Sequence, residues 1–197
     1  MSPRAGLDTA AVIDAAVALV DNKRLDSLTL ARLAAELRVK PPSLYAHVAG
    51  IDEVMRRLGA RGARELATAT GHAVEGRSGS DALRALAKAY RSYALEHPGT
   101  YEAAQRSREL QKDPEAAAAS QAATNVVLAV LRGYGLEDDE AVHAARLIRV
   151  TLHGFIALES EEGFALELSL DDTFERLVTA LDLVLRTASE ENAATHD

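Results

Sequence analysis

Apolar residues recur at helical spacing along most of the chain, and polar, Gly or Pro positions interrupt them. Val12, Ile13, Ala16, Leu19 and Val20 share one face of a predicted first helix that Asp8 or Thr9 caps and that ends near Lys23. Leu30, Leu33, Ala34 and Leu37 repeat the pattern for two turns behind a capping Thr29. After a break at 38–40, Pro41 suits the first position of a third helix, which runs to about Val48 and stops near Gly50. Asp52 is the expected cap of a longer fourth helix through Met55, Leu58, Ala63 and Leu66, ending in the Gly- and Ser-rich stretch 71–80. Further helices are expected at 81–96, 99–111, 115–133, 138–160 and 172–188, the last opened by a capping box of Asp172 and Glu175. About nine helices and no alternating β-type run predict an all-α fold.

Composition supports this reading and narrows it. A 197-residue chain that is 48% hydrophobic can bury a core, while 4% aromatic residues leave little for a sheet. The absence of cysteine removes disulfides and thiolate metal sites and suits a reducing compartment. Residues 1–6 carry no apolar leader region, and no uninterrupted apolar run reaches the length of a membrane span, so a cytoplasmic protein without membrane attachment is expected. The net charge of -8 argues against nucleic-acid binding until the chain is divided. Residues 1–64 carry ten Lys and Arg against seven acids, whereas the remainder is strongly acidic, so any DNA contact belongs at the N-terminus.

Three short helices followed by a long one, with a three-residue break between the second and third, match the organisation of a helix-turn-helix module. The stretch TLARLAAELRVKPPSLYAHVAGIDEV, beginning at Thr29, resembles the TetR family of transcriptional regulators, and the match covers about residues 8–55. A short third helix fits the major groove with Lys40, Pro41, Pro42 and Ser43 at its leading end, while Leu44 and Val48 face the core. The resemblance assigns Tyr45 and His47 to the DNA backbone and carries Thr29 over as a cap whose helix end faces a phosphate. Two positions depart from the family pattern. Arg38 stands where a glycine is usual, at a cost of about 1 kcal/mol if the turn demands positive φ. Gly50 and Ile51 stand where a lysine is usual.

The resemblance further implies a helix-turn-helix domain at 1–51 and a helical ligand-binding and dimerisation domain at 52–197, whose last two helices pair with those of a second subunit. The expected interface residues are Phe155, Phe174, Leu177, Val178, Leu181 and Leu185, with Gly154 and Ala157 small enough for close helix approach. The run Leu152 to Glu159 resembles a subgroup with a Trp-His-Gly signature, Leu152 replacing the tryptophan. Polar groups among apolar helical positions, namely Tyr93, Tyr101, Gln105, Asn125, Arg149 and His153, are candidate contacts for a small-molecule effector. Each also has an ordinary structural explanation, as a hydrogen-bonded core or surface residue.

Enzyme classes lack a carrier. Gly76-Arg77-Ser78-Gly79-Ser80 fails the G-x-S-x-G pattern at its last position, and no P-loop, H-E-x-x-H or G-x-G-x-x-G occurs. Neither catalytic residues nor a metal or cofactor site are expected. The leading expectation is a homodimeric repressor of a palindromic double-stranded operator, released by a small molecule. The alternative is a helical adaptor or sensor that has lost operator binding.

Overall fold

A computed structural model describes residues 7–106 and 113–196. Among them there is no strand, and the element order is α1 (Thr9–Lys23), α2 (Leu30–Glu36), a 3₁₀ segment (Pro41–Ala46), α3 (Ile51–Val74), α4 (Gly79–Glu96), α5 (Pro98–Gln105), α6 (Pro114–Arg132), α7 (Asp138–Ser160) and α8 (Leu170–His196), with a short 3₁₀ turn at Leu25–Ser27. The described residues of Met1–Glu65 and Glu96–Ser120 form one compact unit, and those of Leu66–Leu95 and Gln121–Asp197 form another. Helix α3 contributes residues to both.

In the first unit the caps fall where the sequence places them. Asp8 accepts a hydrogen bond from Ala11 N–H at 2.8 Å, and Thr29 Oγ1 accepts from Arg32 N–H at 3.2 Å. The predicted face of α1 is buried together with Leu33, Leu44, Val48, Val54 and Leu58. Helix α2 ends in a Schellman motif, in which Val39 N–H donates to Ala34 O at 2.9 Å and Arg38 N–H to Ala35 O at 3.1 Å. That motif puts Arg38 at φ 55, the left-handed conformation that glycine adopts without cost. Arg38→Gly is therefore expected to stabilise the unit by about 0.5–1 kcal/mol in urea unfolding.

Three boundaries depart from expectation. The third helix is not α-helical but a 3₁₀ segment ending at Ala46, with Pro41 and Pro42 in its first turn. Ser43 N–H bonds to Lys40 O and His47 N–H to Leu44 O, each spanning three residues. Helix α3 starts at Ile51, so Asp52 lies in its first turn, and Glu53 caps it by accepting from Ala49 N–H at 2.6 Å. That backbone bond and the hydrogen bond from Arg57 hold the Glu53 carboxyl below its usual range. Helix α8 starts at Leu170 with Ser169 Oγ accepting from Asp172 N–H, so Asp172 and Glu175 form no capping box, and Glu175 pairs with Lys88 at 2.8 Å. The expected helix 99–111 is observed as α5 to Gln105, and 107–112 lie outside the described residues.

The second unit buries Leu83, Leu86, Leu131, Leu136, Ile148, Leu152, Ile156 and Phe174. Helix α7 is long and apolar enough by length and composition to cross a membrane, although Arg146 and Arg149 interrupt its middle.

Candidate nucleic-acid interface

Leu44, fully buried, and Val48 anchor the 3₁₀ segment in the first unit's core, which forces the neighbouring side chains outward. Lys40, Pro41, Pro42, Ser43 and Tyr45 are exposed, Tyr45 by 61%, and His47 is half-buried. An aromatic ring this exposed gains nothing from its own core. Thr9 Oγ1 donates to the His47 carbonyl at 2.9 Å, tying the start of α1 to the end of the segment. Thr29 is exposed at the head of α2 with its hydroxyl engaged as the cap. The seven residues expected at the interface thus lie at the start of α2 and along one short segment with its two flanking residues. This surface supplies a cation, hydroxyls and an amphipathic ring, the groups that phosphates and base edges accept.

The candidate effector contacts divide between the units. Tyr101, buried, and Gln105, half-buried, belong to α5 in the first. In the second, Tyr93 is buried, Asn125 is exposed and accepts from Gln121 at 2.9 Å, and Arg149 is exposed. His153 is half-buried, and burial, together with the Arg149 charge, lowers its pKa below the ordinary histidine value. At pH 7 it is therefore mainly a neutral imidazole that can donate one hydrogen bond and accept another.

The residues expected at the dimer interface are mostly buried within the chain itself. Phe155, Phe174, Val178, Leu181 and Leu185 are each 5% exposed or less, and Leu177 is half-buried. The chain covers them with its own side chains: Phe155 lies 5.1 Å from Phe164 and 5.2 Å from Phe174, ring centroid to centroid. The large apolar residues that α7 and α8 leave exposed are others, Val142, Leu147, Val150 and Leu158 on α7 and Leu183 and Val184 on α8. A Cβ built on Gly154 would meet nothing within 4 Å, so the chain's own packing does not require a glycine there.

Two polar clusters in the second unit had no sequence signal, because their members are far apart in the chain. Arg91 chelates Glu159, with Nε to Oε2 at 2.8 Å and Nη2 on Oε1, and reaches Asp171 at 2.7 Å. Its guanidinium also lies 4.8 Å from the Phe174 ring centroid. Tyr134 Oη donates to buried Asp182 at 2.6 Å, and Arg186 Nε donates to the same carboxylate at 3.2 Å. Burial alone would raise the Asp182 pKa, but hydrogen bonds from Ser80 and Tyr134 and the Arg186 charge hold it below the usual range. Burial, and then the bond to Asp182, push the Tyr134 hydroxyl well above the ordinary phenol value.

Comparison with known proteins places this geometry in context. Residues 83–181 match the family described as "Tetracyclin repressor-like, C-terminal domain". The chain is 37% identical over 193 residues to the "Uncharacterized HTH-type transcriptional regulator Rv0681" of Mycobacterium tuberculosis, covering 98% of this chain and 85% of that protein. It is 34% identical over 187 residues to the "Uncharacterized HTH-type transcriptional regulator YobS" of Bacillus subtilis, covering 95% of this chain and 93% of that one. Among solved structures, apo ActR from Streptomyces coelicolor superposes with a TM-score of 0.70 at 20% identity, over 98% of this chain and 99% of ActR. ActR in complex with (S)-DNPA gives 0.65 at 19% identity, over 94% and 100%.

Proposed function

The chain belongs to the TetR family of helix-turn-helix transcriptional regulators, and from that premise we propose that it acts as a cytoplasmic homodimeric repressor released from a palindromic operator by a small-molecule effector. DNA-binding regulation is the family's activity, and the adaptor reading has no support in these relatives. In this proposal residues 1–51 read DNA and 52–197 carry the effector and the second subunit. Operator contacts are assigned to Thr29, Lys40, Pro41, Pro42, Ser43, Tyr45 and His47. The observation that carries the reading is the exposed row from Lys40 to Tyr45, held outward by buried Leu44.

The effector's contacts are assigned to Tyr93, Tyr101, Gln105, Asn125, Arg149 and His153. ActR, with its bound (S)-DNPA, is the precedent in this fold for a small-molecule complex. Release requires differential affinity: the effector must bind the arrangement unsuited to DNA more tightly than the arrangement that fits it. The continuous helix α3 is the proposed transmitter.

Selection from random duplexes tests the operator claim, with an enriched palindrome as the expected result. Tyr45→Ala should then weaken binding to all enriched sequences alike, as loss of a phosphate contact does. Ser43→Ala or Lys40→Ala should change the preferred bases, with discrimination shifting by about 1–3 kcal/mol. No palindrome, or equal losses from all three variants on every sequence, would remove the reading.

For the dimer, the exposed residues on α7 and α8 replace the buried ones. Only 33% of the most apolar 18-residue stretch of α7 is buried, more apolar surface than its own core uses. On α8, Leu183 is 66% exposed. Leu183→Glu is expected to leave the helical signal intact and to raise the dimer dissociation constant about 10- to 100-fold in sedimentation equilibrium, because a two-fold interface buries the new carboxylate twice.

A further inference from the structure

Four arginines of α3 line one cleft of about 420 Å³ in the first unit, opposite α1 and the start of α6. Arg57, Arg61 and Arg64 follow the i, i+4, i+7 spacing of one helix side, and Arg56 lines the cleft beside them. Three of them are held by carboxylates: Arg57 by Glu53, Arg61 by Asp14 and Glu65, and Arg64 by Glu115. Arg56 makes no ion pair among the described residues, and its charge is felt by Glu53 only at longer range. The latching acids are loose, because the side chains of Asp14 and Glu115 are 64% and 69% exposed. Exposed pairs of this kind are weak and exchange readily for a better acceptor. A phosphate group is such an acceptor, since its oxygens match the planar guanidinium fork. The cleft opens beside Thr9, which is bonded to the end of the DNA-facing segment.

We propose that this cleft between α1 and α3 is a phosphate-binding site, centred on Arg56 and Arg64, distinct from the operator contacts assigned above. Two sources supply that chemistry, a backbone phosphate flanking the operator or a free phosphorylated compound.

Titration calorimetry of the full-length protein with inorganic pyrophosphate at low ionic strength tests the free source without any DNA. The expected result is submillimolar binding that Arg56→Gln or Arg64→Gln weakens at least tenfold. Arg56→Gln leaves no carboxylate without its partner, so its circular dichroism and Tm should match the wild type. The second arm compares selected operators with and without about six flanking base pairs. If the flank source is right, the flanks tighten wild-type binding at least fivefold and Arg56→Gln abolishes the gain. A positive first arm assigns a free phosphate compound, and a positive second arm alone assigns DNA. Pyrophosphate binding that is absent or equal in all three proteins, with no flank effect, overturns the proposal whether or not an operator exists.

Discussion

Gly99→Ala should destabilise the first unit by about 2–3 kcal/mol, an unusually large loss for one added methyl group. In an ordinary helix the change goes the other way, because alanine is favoured over glycine by about 1 kcal/mol. Here a Cβ on Gly99 would stand 2.4 Å from the Val20 carbonyl oxygen and 2.5 Å from its carbonyl carbon. Those are backbone atoms in the last turns of α1, so relief requires moving a helix and not merely turning a side chain. Asp21 holds the two helices in that contact: its carboxylate accepts from Thr100 N–H at 2.7 Å and from Thr100 Oγ1 at 3.1 Å. Gly62 is under the same constraint from α3, with a built Cβ 2.5 Å from the Thr100 carbonyl oxygen. Gly71→Ala provides the internal control. Its Cβ would meet only Val126 Cγ2 at 3.8 Å, an ordinary contact, so that variant should gain up to about 1 kcal/mol. Urea unfolding of both at one protein concentration decides, and equal midpoints would defeat the close-approach argument.

The second large effect is expected at Arg91. Arg91→Leu should cost the second unit about 3–5 kcal/mol, chiefly because it strands Glu159, whose side chain is only 11% exposed. Loss of the stacking over Phe155 and Phe174 adds to this. Glu159 is the largest influence raising the Arg91 pKa, and burial opposes it. Arg91→Lys should recover only part of the loss, since an ammonium cannot chelate both carboxylate oxygens while lying over the rings. The double variant Arg91→Leu with Glu159→Leu should be markedly more stable than Arg91→Leu alone. Equal stability of the two would show that the stranded carboxylate is not the cause.

These two sites also mark the limit of sequence reading. The caps at Asp8 and Thr29 and the face of α1 were legible because each depends on neighbours within four residues. The same locality exposed the candidate DNA-facing row, since an outward residue between two inward ones is a matter of spacing. The Gly99 contact with Val20 and the Arg91 chelate join residues separated by many turns, and no local pattern announces them. The α8 stripe failed differently. Periodicity found Phe174, Val178, Leu181 and Leu185 as an apolar face, but a face buried by its own chain and one buried by a partner have the same spacing. Asp182 lies beside that stripe as a buried acid; Arg186 stands four residues on along the same helix, but only the fold supplies its Tyr134 partner.

The 3₁₀ form of Pro41–Ala46 also fixes the pitch of the segment proposed to face DNA. A 3₁₀ turn holds three residues and climbs about 2.0 Å per residue, so Pro42 and Tyr45 stand in one straight file and Ser43 and Ala46 in another. Wound as an α-helix, the same six residues would be shorter by about 3 Å and the files would spiral. Three ångströms is roughly the rise of one base pair, about 3.4 Å. In the proposed complex, that pitch sets which rung of the duplex each side chain reaches before any of them makes a contact.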